Sequence, residues 1–565
     1  QALAQEVMRP RPACEIPTKL WPWLSVALGL LPCAASFYSF GRDASNPDYS
    51  HFLTSVVRVL VKRPSFDWLH PYAFSVDSLI SGTAFVVQLE PYPLFVTNAH
   101  VIRDAAKVTV QVLAHSEYPW DVDVVQTCHY FDNALLALRW PGAFMQAMAD
   151  GGVKIQALRL TESAVPMGKD VIAVGFPRIQ NSLKISKGTI AGNEAVDGSI
   201  CIQSTAPISL GCGGGPLVST DDSEVLGVNF AMSTSGENIY YVVPAWRVTQ
   251  LVRQHLKEQS VAPSPGSWQR IRFDPPPMEL TTVPPNDALY TLGGCNAGIY
   301  VSKIGRRSLF RTAAPPVIEG SFLISVRGRI VDSFGTGFNP DYMADRVDYP
   351  DLFFMTRDIA DDVDFQTCRQ GKITKHIVSL IHKPEFDLGI KLVDEPVLQN
   401  WSKAYETFGG VSVMQMTVNH IITLKKAHLY GPSRWLHPDD IFEPRLIINN
   451  LETGSYASNV LSVGAAVDMV NGHQVRTLED FRNHFSPHDG PFWTLTTDTG
   501  QICAFMYEET LTEQLKRAST APYLLTPSVA RAAQEAGLLE GGASKGPAFA
   551  AGVDDTLDSP SMRLM

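Results

Sequence analysis

The 565 residues predict a mainly β fold: a sandwich or a pair of barrels in the first half, then two mixed α/β modules. Three observations carry this. Short β-branched and aromatic runs fill residues 55–243, among them VVRVLVK, GTAFVVQL, LFVTNAHVI, KVTVQVLAH, ALLALRW, DVIAVGFP, VLGVNFAM and IYYVVPA, with Gly, Pro, Asp and Asn between them. The stretch 244–259, PAWRVTQLVRQHLKEQ, then shows apolar residues at helical spacing behind Pro244, which predicts a helix closing that domain. Beyond it, one pattern occurs twice. GIYVSKI and IEGSFLISVRGRIV (298–304, 318–331) parallel RLIINNL and VGAAVDMVNGHQV (445–451, 463–475). Each is a strand, an intervening segment, and a Gly-led strand ending in a tight turn. Gly328 and the pair Asn471–Gly472 are hairpin-turn residues.

In chain order the parts are an N-terminal arm (1–54), the strand-rich domain (55–260), a first module (268–400), a second module (405–510) and a tail (511–565). A length of 565 residues accommodates about three to four domains. In the arm, residues 20–41 carry no charge and follow Arg9, Arg11 and Lys19. Three readings stand for this stretch: a membrane anchor, a targeting segment, or an apolar arm packed on this protein or a neighbour. Pro22 and Pro32 oppose a continuous helix. SVAPSPGSW (260–268) is a linker by composition. TLEDFRNHF (477–485) predicts a helix capped by Thr477, with Asp480 in its first turn. In the tail, TPSVARAAQEAG predicts one short helix with Thr526 as cap, Pro527 first and Gly537 as terminator. The residues after it have the composition of a segment ordered only by a partner.

A formal net charge of −11 argues against a broad nucleic-acid surface, which needs clustered Lys and Arg. The eight cysteines (14, 33, 128, 201, 212, 295, 368 and 503) form no CxxC pair and no zinc-like cluster. They are expected as free buried thiols in a reducing compartment, with a few disulfides in a secreted chain as the alternative. No metal or cofactor is expected.

Chemistry concentrates in three places. FVTNAHVI sets His100 directly after an apolar strand, DNALLAL sets Asp132 before another, and STAPISLGCGGGPLVS holds a Gly-rich turn at 211–215. Each signal alone has an ordinary structural explanation. Their order, His then Asp then Gly turn, is that of chymotrypsin-type proteases. There the Asp orients the imidazole, the imidazole deprotonates the nucleophile, and turn amides hold the oxyanion.

With these motifs the chain resembles the HtrA/Deg family of PDZ-containing trypsin-like proteases, over most of residues 55–510. SGTAFVV (81–87) resembles the family's glycine-rich early strand, TNAHVI its histidine motif and DNALLAL its aspartate motif. VIAVGFP (171–177), ISKGTIAG (185–192) and NIYYVVPA (238–245) resemble the strands that follow. The remainder is most similar to the plant-type Deg subgroup. The resemblance implies a chymotrypsin-like double β-barrel followed by two PDZ-like α/β modules. Such modules bind extended peptides or C-terminal carboxylates; the nearest Gly-rich loop for the latter, TLGGCNAG (291–298), reads equally well as a plain turn.

The departure lies at the nucleophile. The family's turn reads GNSGGP, and against it Gly211 takes the first Gly, Cys212 the Asn and Gly213 the Ser. Gly213 has no oxygen for His100 to activate. His100 and Asp132 are therefore expected as vestigial, Gly211 and Gly213 as the remnant of the oxyanion turn. Cys212 is the alternative nucleophile, set one residue early so that its side chain is expected to point away. The expected function is a catalytically degenerate structural or scaffold subunit of a larger protein assembly, with a homo-oligomer and peptide ligands at the PDZ-like modules also open. The alternatives are a peptide-binding chaperone-like module and an active endopeptidase using Cys212. The expected compartment is the mitochondrion, with a plastid or another organelle as alternatives.

Overall fold

A computed structural model describes residues 49–63, 66–73, 78–177, 180–196, 198–232, 239–258, 271–272, 275–358, 362–382, 386, 389–393, 404–437, 440–488 and 490–539. The arm up to residue 48, the linker 260–268 and the tail from residue 540 lie outside the described residues, with Cys14 and Cys33. Residues from Tyr49 onward form one unit.

Six antiparallel strands make the first barrel: β1 (Val56–Arg63), β2 (Ser78–Gln88), β3 (Leu94–Thr97), β4 (Lys107–Gln111), β5 (Trp120–Cys128) and β6 (Asn133–Leu138). The order β5-β4-β1-β2-β3-β6 closes because β5 also pairs with β6. The second barrel is β7 (Asp170–Gly175), β8 (Lys184–Val196), β9 (Ser199–Ser204), β10 (Pro216–Ser219), β11 (Val225–Met232) and β12 (Tyr240–Pro244), closed in the order β10-β11-β12-β9-β8-β7. Closure leaves neither barrel an unpaired edge. A short helix, Phe52–Ser55, precedes β1 with Phe52 fully buried, so the N-terminal arm gives way to the barrel at Tyr49 rather than after residue 54.

The helix expected at 244–259 forms over Ala245–Glu258 and buries Trp246, Val248, Leu251 and His255. It also buries a charge. Arg247 is completely enclosed, its guanidinium 3.5 Å from the Phe131 ring centroid and its Nη2 bonded to the Asp351 carboxylate of the first module. Asp351 also accepts from the Ile200 amide at 3.3 Å. Burial pushes the Asp351 carboxyl up, against the pull of Arg247. Gln250 donates to the Phe354 carbonyl at 2.9 Å. One apolar cluster runs from the barrels (Val174, Trp246) into the first module (Phe310, Phe353, Phe365), so this module is fused to the barrels by core and not merely tethered.

The first module is a sheet of β13 (Leu280–Val283), β14 (Ile299–Ile304), β15 (Ser321–Val326), β16 (Asp362–Arg369) and β17 (Lys372–Ser379) in that order. The second contains β18 (Tyr405–Phe408), β19 (Val411–Gln415), β20 (Leu446–Leu451), β21 (Ala466–Val470), β22 (Phe492–Thr497) and β23 (Ile502–Met506), also in order. The repeat seen in the sequence is a repeat of structure: β14–β15 and β20–β21 pair antiparallel, and each second strand turns through a two-residue hairpin. Arg327 and Gly328 have φ of 48° and 72°, Asn471 and Gly472 of 48° and 78°. Two central residues at positive φ define the type I′ hairpin. These are the PDZ-like β modules the resemblance implied. The cap at Thr477 forms with Asp480 in a reciprocal box.

Two further expectations are corrected. Cys295 and Cys368 form a disulfide rather than thiols, while Cys128, Cys201, Cys212 and Cys503 are buried and outside any disulfide. No spacing rule links partners 73 residues apart. The register does, since Cys368 stands opposite Phe322 on β15, next to β14. The loop TLGGCNAG is thereby stapled to β16, behind a helix Asp287–Gly293 that ends in left-handed Gly294. The second module also runs past residue 510: helices Tyr507–Ala518 and Pro527–Glu535 place Leu511, Val529 and Ala532 in its core. Gly537, at φ 68°, terminates the last helix as expected.

Between β1 and β2, a strap at 66–72 leaves the barrel and packs on the second module. Phe66 and Trp68 join Tyr405, Met414, Ile421 and Leu424 in one cluster, and Tyr72 stacks on Tyr523 with ring centroids 4.3 Å apart. Asn449 donates to the Leu69 carbonyl at 3.1 Å. Among the described residues no helix is long and apolar enough to cross a membrane.

Candidate active site

The site lies between the barrels. β3 ends at Thr97 and the chain turns into a single helical turn, Ala99–Ile102, that carries His100. The β5–β6 turn carries Asp132, held at φ 50° and nearly buried. Four hydrogen bonds join the two motifs. Asp132 Oδ2 accepts from His100 Nδ1 and Oδ1 from the His100 amide, both at 2.7 Å. The Asp132 carbonyl accepts from Asn98 Nδ2 at 3.1 Å and from the Ala99 amide at 3.2 Å. An ionised carboxylate only accepts, so Nδ1 carries the hydrogen and Nε2 is left as an acceptor. The ring is half exposed, with Phe230 beside it at 6.1 Å between centroids.

Opposite stands the Gly-rich turn. The Cys212 amide donates to the Ser209 carbonyl at 2.9 Å, and Gly211, at the third position of this turn, has φ 97°. A positive φ there calls for glycine. Gly214 has φ 85°, and a Cβ on it would fall 2.1 Å from the Thr83 carbonyl and 2.3 Å from Thr97 Oγ1. A Cβ on Gly215 would fall 2.1 Å from the Val174 carbonyl. Sterics therefore force glycine at 214 and 215.

Gly213 is different. Its φ lies outside the left-handed region, and a Cβ there would stand 3.4 Å from His100 Nε2 and 3.3 Å from Asn98 Oδ1. The backbone accepts a side chain at 213 and aims it at the imidazole. His100, Asp132 and Gly213, picked from the sequence by motif order, are thus brought together. No described group accepts the amide hydrogens of Gly211 or Gly213, the two donors named for the oxyanion turn.

Cys212 is not part of this constellation. It packs in the core of the second barrel with Val171, Ala173, Ile208 and Leu217, and no hydrogen bond among the described residues joins its thiol to His100. Burial pushes the thiol's pKa up, the opposite of what a nucleophilic thiolate needs. It also lines a cavity of about 250 Å³ with Lys184, Ser186 and Pro207. No group of three or more His, Cys, Asp or Glu among the described residues is placed to hold a metal ion.

Two residues that matter here were not singled out in the sequence. Asn98, immediately before the histidine, is fully buried and ties the two motifs. Thr83, in SGTAFVV, clamps the turn. Its amide donates to the Gly213 carbonyl at 3.0 Å, its hydroxyl donates to the Gly211 carbonyl at 2.8 Å, and the hydroxyl accepts from the Phe176 amide at 2.9 Å. Thr83 stands out in the sequence as a polar residue inside an apolar strand, and Asn98 as the polar residue that directly follows one.

Residues 82–228 match the trypsin-like peptidase domain family. The bovine (Bos taurus) "Serine protease HTRA2, mitochondrial" is 30% identical over 209 residues, covering 36% of this chain and 42% of that protein. "Serine protease HTRA1" of Xenopus tropicalis is 28% identical over 231 residues, covering 39% and 46%. The chain spans less than half the length of these curated relatives. Among solved structures, the serine endoprotease from Yersinia pestis aligns with a TM-score of 0.37 at 17% identity, over 59% of this chain and 97% of that one. The HtrA-type protease AlgW with decapeptide aligns at 0.41 and 16%, over 59% and 98%.

Proposed function

We propose, from the premise that this chain belongs to the HtrA/Deg family of trypsin-like proteases, that it is a protease-fold subunit without covalent peptidase activity, acting as a structural member of a larger protein assembly. One observation carries the reading. Gly213 faces His100 Nε2 at a position where a side chain fits, and it offers no atom to attack a carbonyl. Removing a protease nucleophile costs on the order of 10⁶ in turnover, about 8 kcal/mol of barrier. The neighbouring thiol is no substitute, since it is buried in the barrel core with a raised pKa.

Two features support a fixed structural role over a peptide receptor. The first module shares core and a buried ion pair with the barrels. An apolar face of the second module is filled by the chain's own strap through Phe66 and Trp68. In this proposal the compartment is the mitochondrion, on the strength of the uncharged stretch 20–41 behind Arg9 and Arg11; the bovine relative carries the same compartment in its name.

Native mass of the protein from cell extract tests the assembly, and casein cleavage with a thiol-blocking control tests the chemistry. The expected result is a mass well above a monomer or a simple homotrimer, with no cleavage. A free monomer defeats the scaffold reading, and thiol-sensitive cleavage defeats the inactive one.

A further inference from the structure

We infer that the outer face of the helix Val418–Lys426 and the turn after it form a docking surface for an anionic lipid bilayer, on which the second module lies without crossing it. This goes beyond the proposed assembly role and does not involve residue 213. The helix carries two stripes. His420, Ile421 and Leu424 are buried, the latter two in the cluster that the strap enters. Ile422, Lys425, Lys426 and Leu429 recur at i, i+3, i+4 and i+7, the spacing of one helix face, and all four are exposed. Leu429 lies past the helix end and is held against its last turn. His428 takes a left-handed φ of 62°, and the Leu429 amide donates to the Leu424 carbonyl at 2.8 Å. Tyr430 follows directly and is 55% exposed.

Charge selects the partner. The chain as a whole carries a formal net charge of −11, yet residues 407–438 contain no Asp or Glu. Among the described residues no carboxylate pairs with Lys425 or Lys426, whereas Arg434 is matched by Asp498 and Arg445 by Asp440. Exposed charges farther off than about 10 Å are largely screened at about 0.1 M salt, so the local sign governs contact with a charged surface. Shape selects it too. An exposed helix face is convex and offers a peptide neither groove nor strand edge. A bilayer yields around such a face. Ile422 and Leu429 then sink towards the acyl chains, and the lysine stems lie along the headgroup layer with their ammonium groups on lipid phosphates. Tyr430 suits the same boundary, with an apolar ring and a polar hydroxyl. The buried stripe keeps the helix on its module, so docking needs no refolding.

The test is co-sedimentation of the full chain with vesicles of equal parts phosphatidylcholine and phosphatidylglycerol, against vesicles of phosphatidylcholine alone. The expected result is binding to the mixed vesicles that added salt weakens. Lys425→Gln with Lys426→Gln is expected to lower the partition coefficient by about 30-fold, about fivefold for each cation beside an anionic surface. Ile422→Ser with Tyr430→Ser is expected to lower it by about tenfold through lost apolar contact. All four side chains are exposed, so both variants are expected to melt with wild type, and either one carries the comparison if the other fails to fold. No binding to the mixed vesicles, equal binding to the two vesicle types, or binding unchanged in the folded variants overturns the inference and leaves the proposed function standing. Capture by immobilised polyglutamate without vesicle binding also overturns it, and assigns the lysines to an acidic protein.

Discussion

Replacing Asp351 by Ala removes the only carboxylate among the described residues that is hydrogen-bonded to Arg247, a guanidinium with no exposed surface. What remains around the charge is aromatic: Phe131 at 3.5 Å and Trp246 at 4.3 Å from the guanidinium carbon to the ring centroids. A cation over an aromatic face is worth about 0.5–2 kcal/mol. Leaving half of a buried pair unmatched costs about 3–5 kcal/mol. The deficit is thus several kcal/mol, an increase of about two to four decades in the unfolded fraction, and the Ile200 amide also loses its 3.3 Å acceptor. Urea unfolding followed by tryptophan fluorescence measures it, since Trp246 sits against Arg247. The double change Arg247→Met with Asp351→Leu removes both charges and is expected to regain most of the loss, within about 1 kcal/mol of wild type. A single Asp351→Ala protein within about 1 kcal/mol of wild type would refute the reasoning, because the charge would then have water as its partner.

Two further outcomes follow from the same structure. Burial pushes the imidazole of His420 down to about 3, and it lies beneath the strap with Trp68 at 4.9 Å between ring centroids and Thr417 Oγ1 at 2.8 Å. Because the folded pKa is below the unfolded one, stability is full above about pH 6.5 and falls as pH drops towards 3, by about 2 kcal/mol between pH 6.5 and pH 5. His255, pushed down to about 4 by burial, adds a loss of the same sign. Urea midpoints at pH 7.5 and 5.0 check this, with His420→Gln expected to flatten the dependence; an unchanged wild-type midpoint contradicts it. Among the glycines, Gly214→Ala is expected to destabilise by more than about 2 kcal/mol, from its φ of 85° and its 2.1 Å approach to the Thr83 carbonyl, and Gly213→Ala by less than about 1 kcal/mol. Thermal melts of the two variants side by side decide it, and equal losses would contradict the steric account.

The parts of this molecule that sequence made legible are those fixed by local chemistry. His100 sits three residues past one apolar strand and Asp132 one residue before another, so strand patterning places them, and the I′ hairpin at Asn471–Gly472 is written in two residues. The Gly-rich turn was visible as a run, but the run does not distinguish its members. Gly214 and Gly215 are glycine because the Thr83 and Val174 carbonyls crowd them to 2.1 Å, whereas a Cβ at Gly213 would meet its nearest neighbours only at 3.3–3.4 Å. The rest depended on distance along the chain. Arg247 and Asp351 are 104 residues apart, and the strap meets the second module across more than 300. No period or spacing encodes such pairs. Leu511 and Val529 lie on polar-looking helices whose narrow apolar stripes are explained only by the sheet they cover.

The account turns on whether position 213 lacks an attacking atom and nothing else. Gly213→Ser supplies that atom on a Cβ that would stand 3.4 Å from His100 Nε2, and the direct measurement is covalent labelling of wild type and variant by a fluorophosphonate probe, read by intact mass. The predicted result is one adduct at position 213 in the variant, abolished by adding His100→Ala, and no adduct in wild type. An adduct on the wild-type chain, or a folded Gly213→Ser protein that stays unlabelled, would contradict the account.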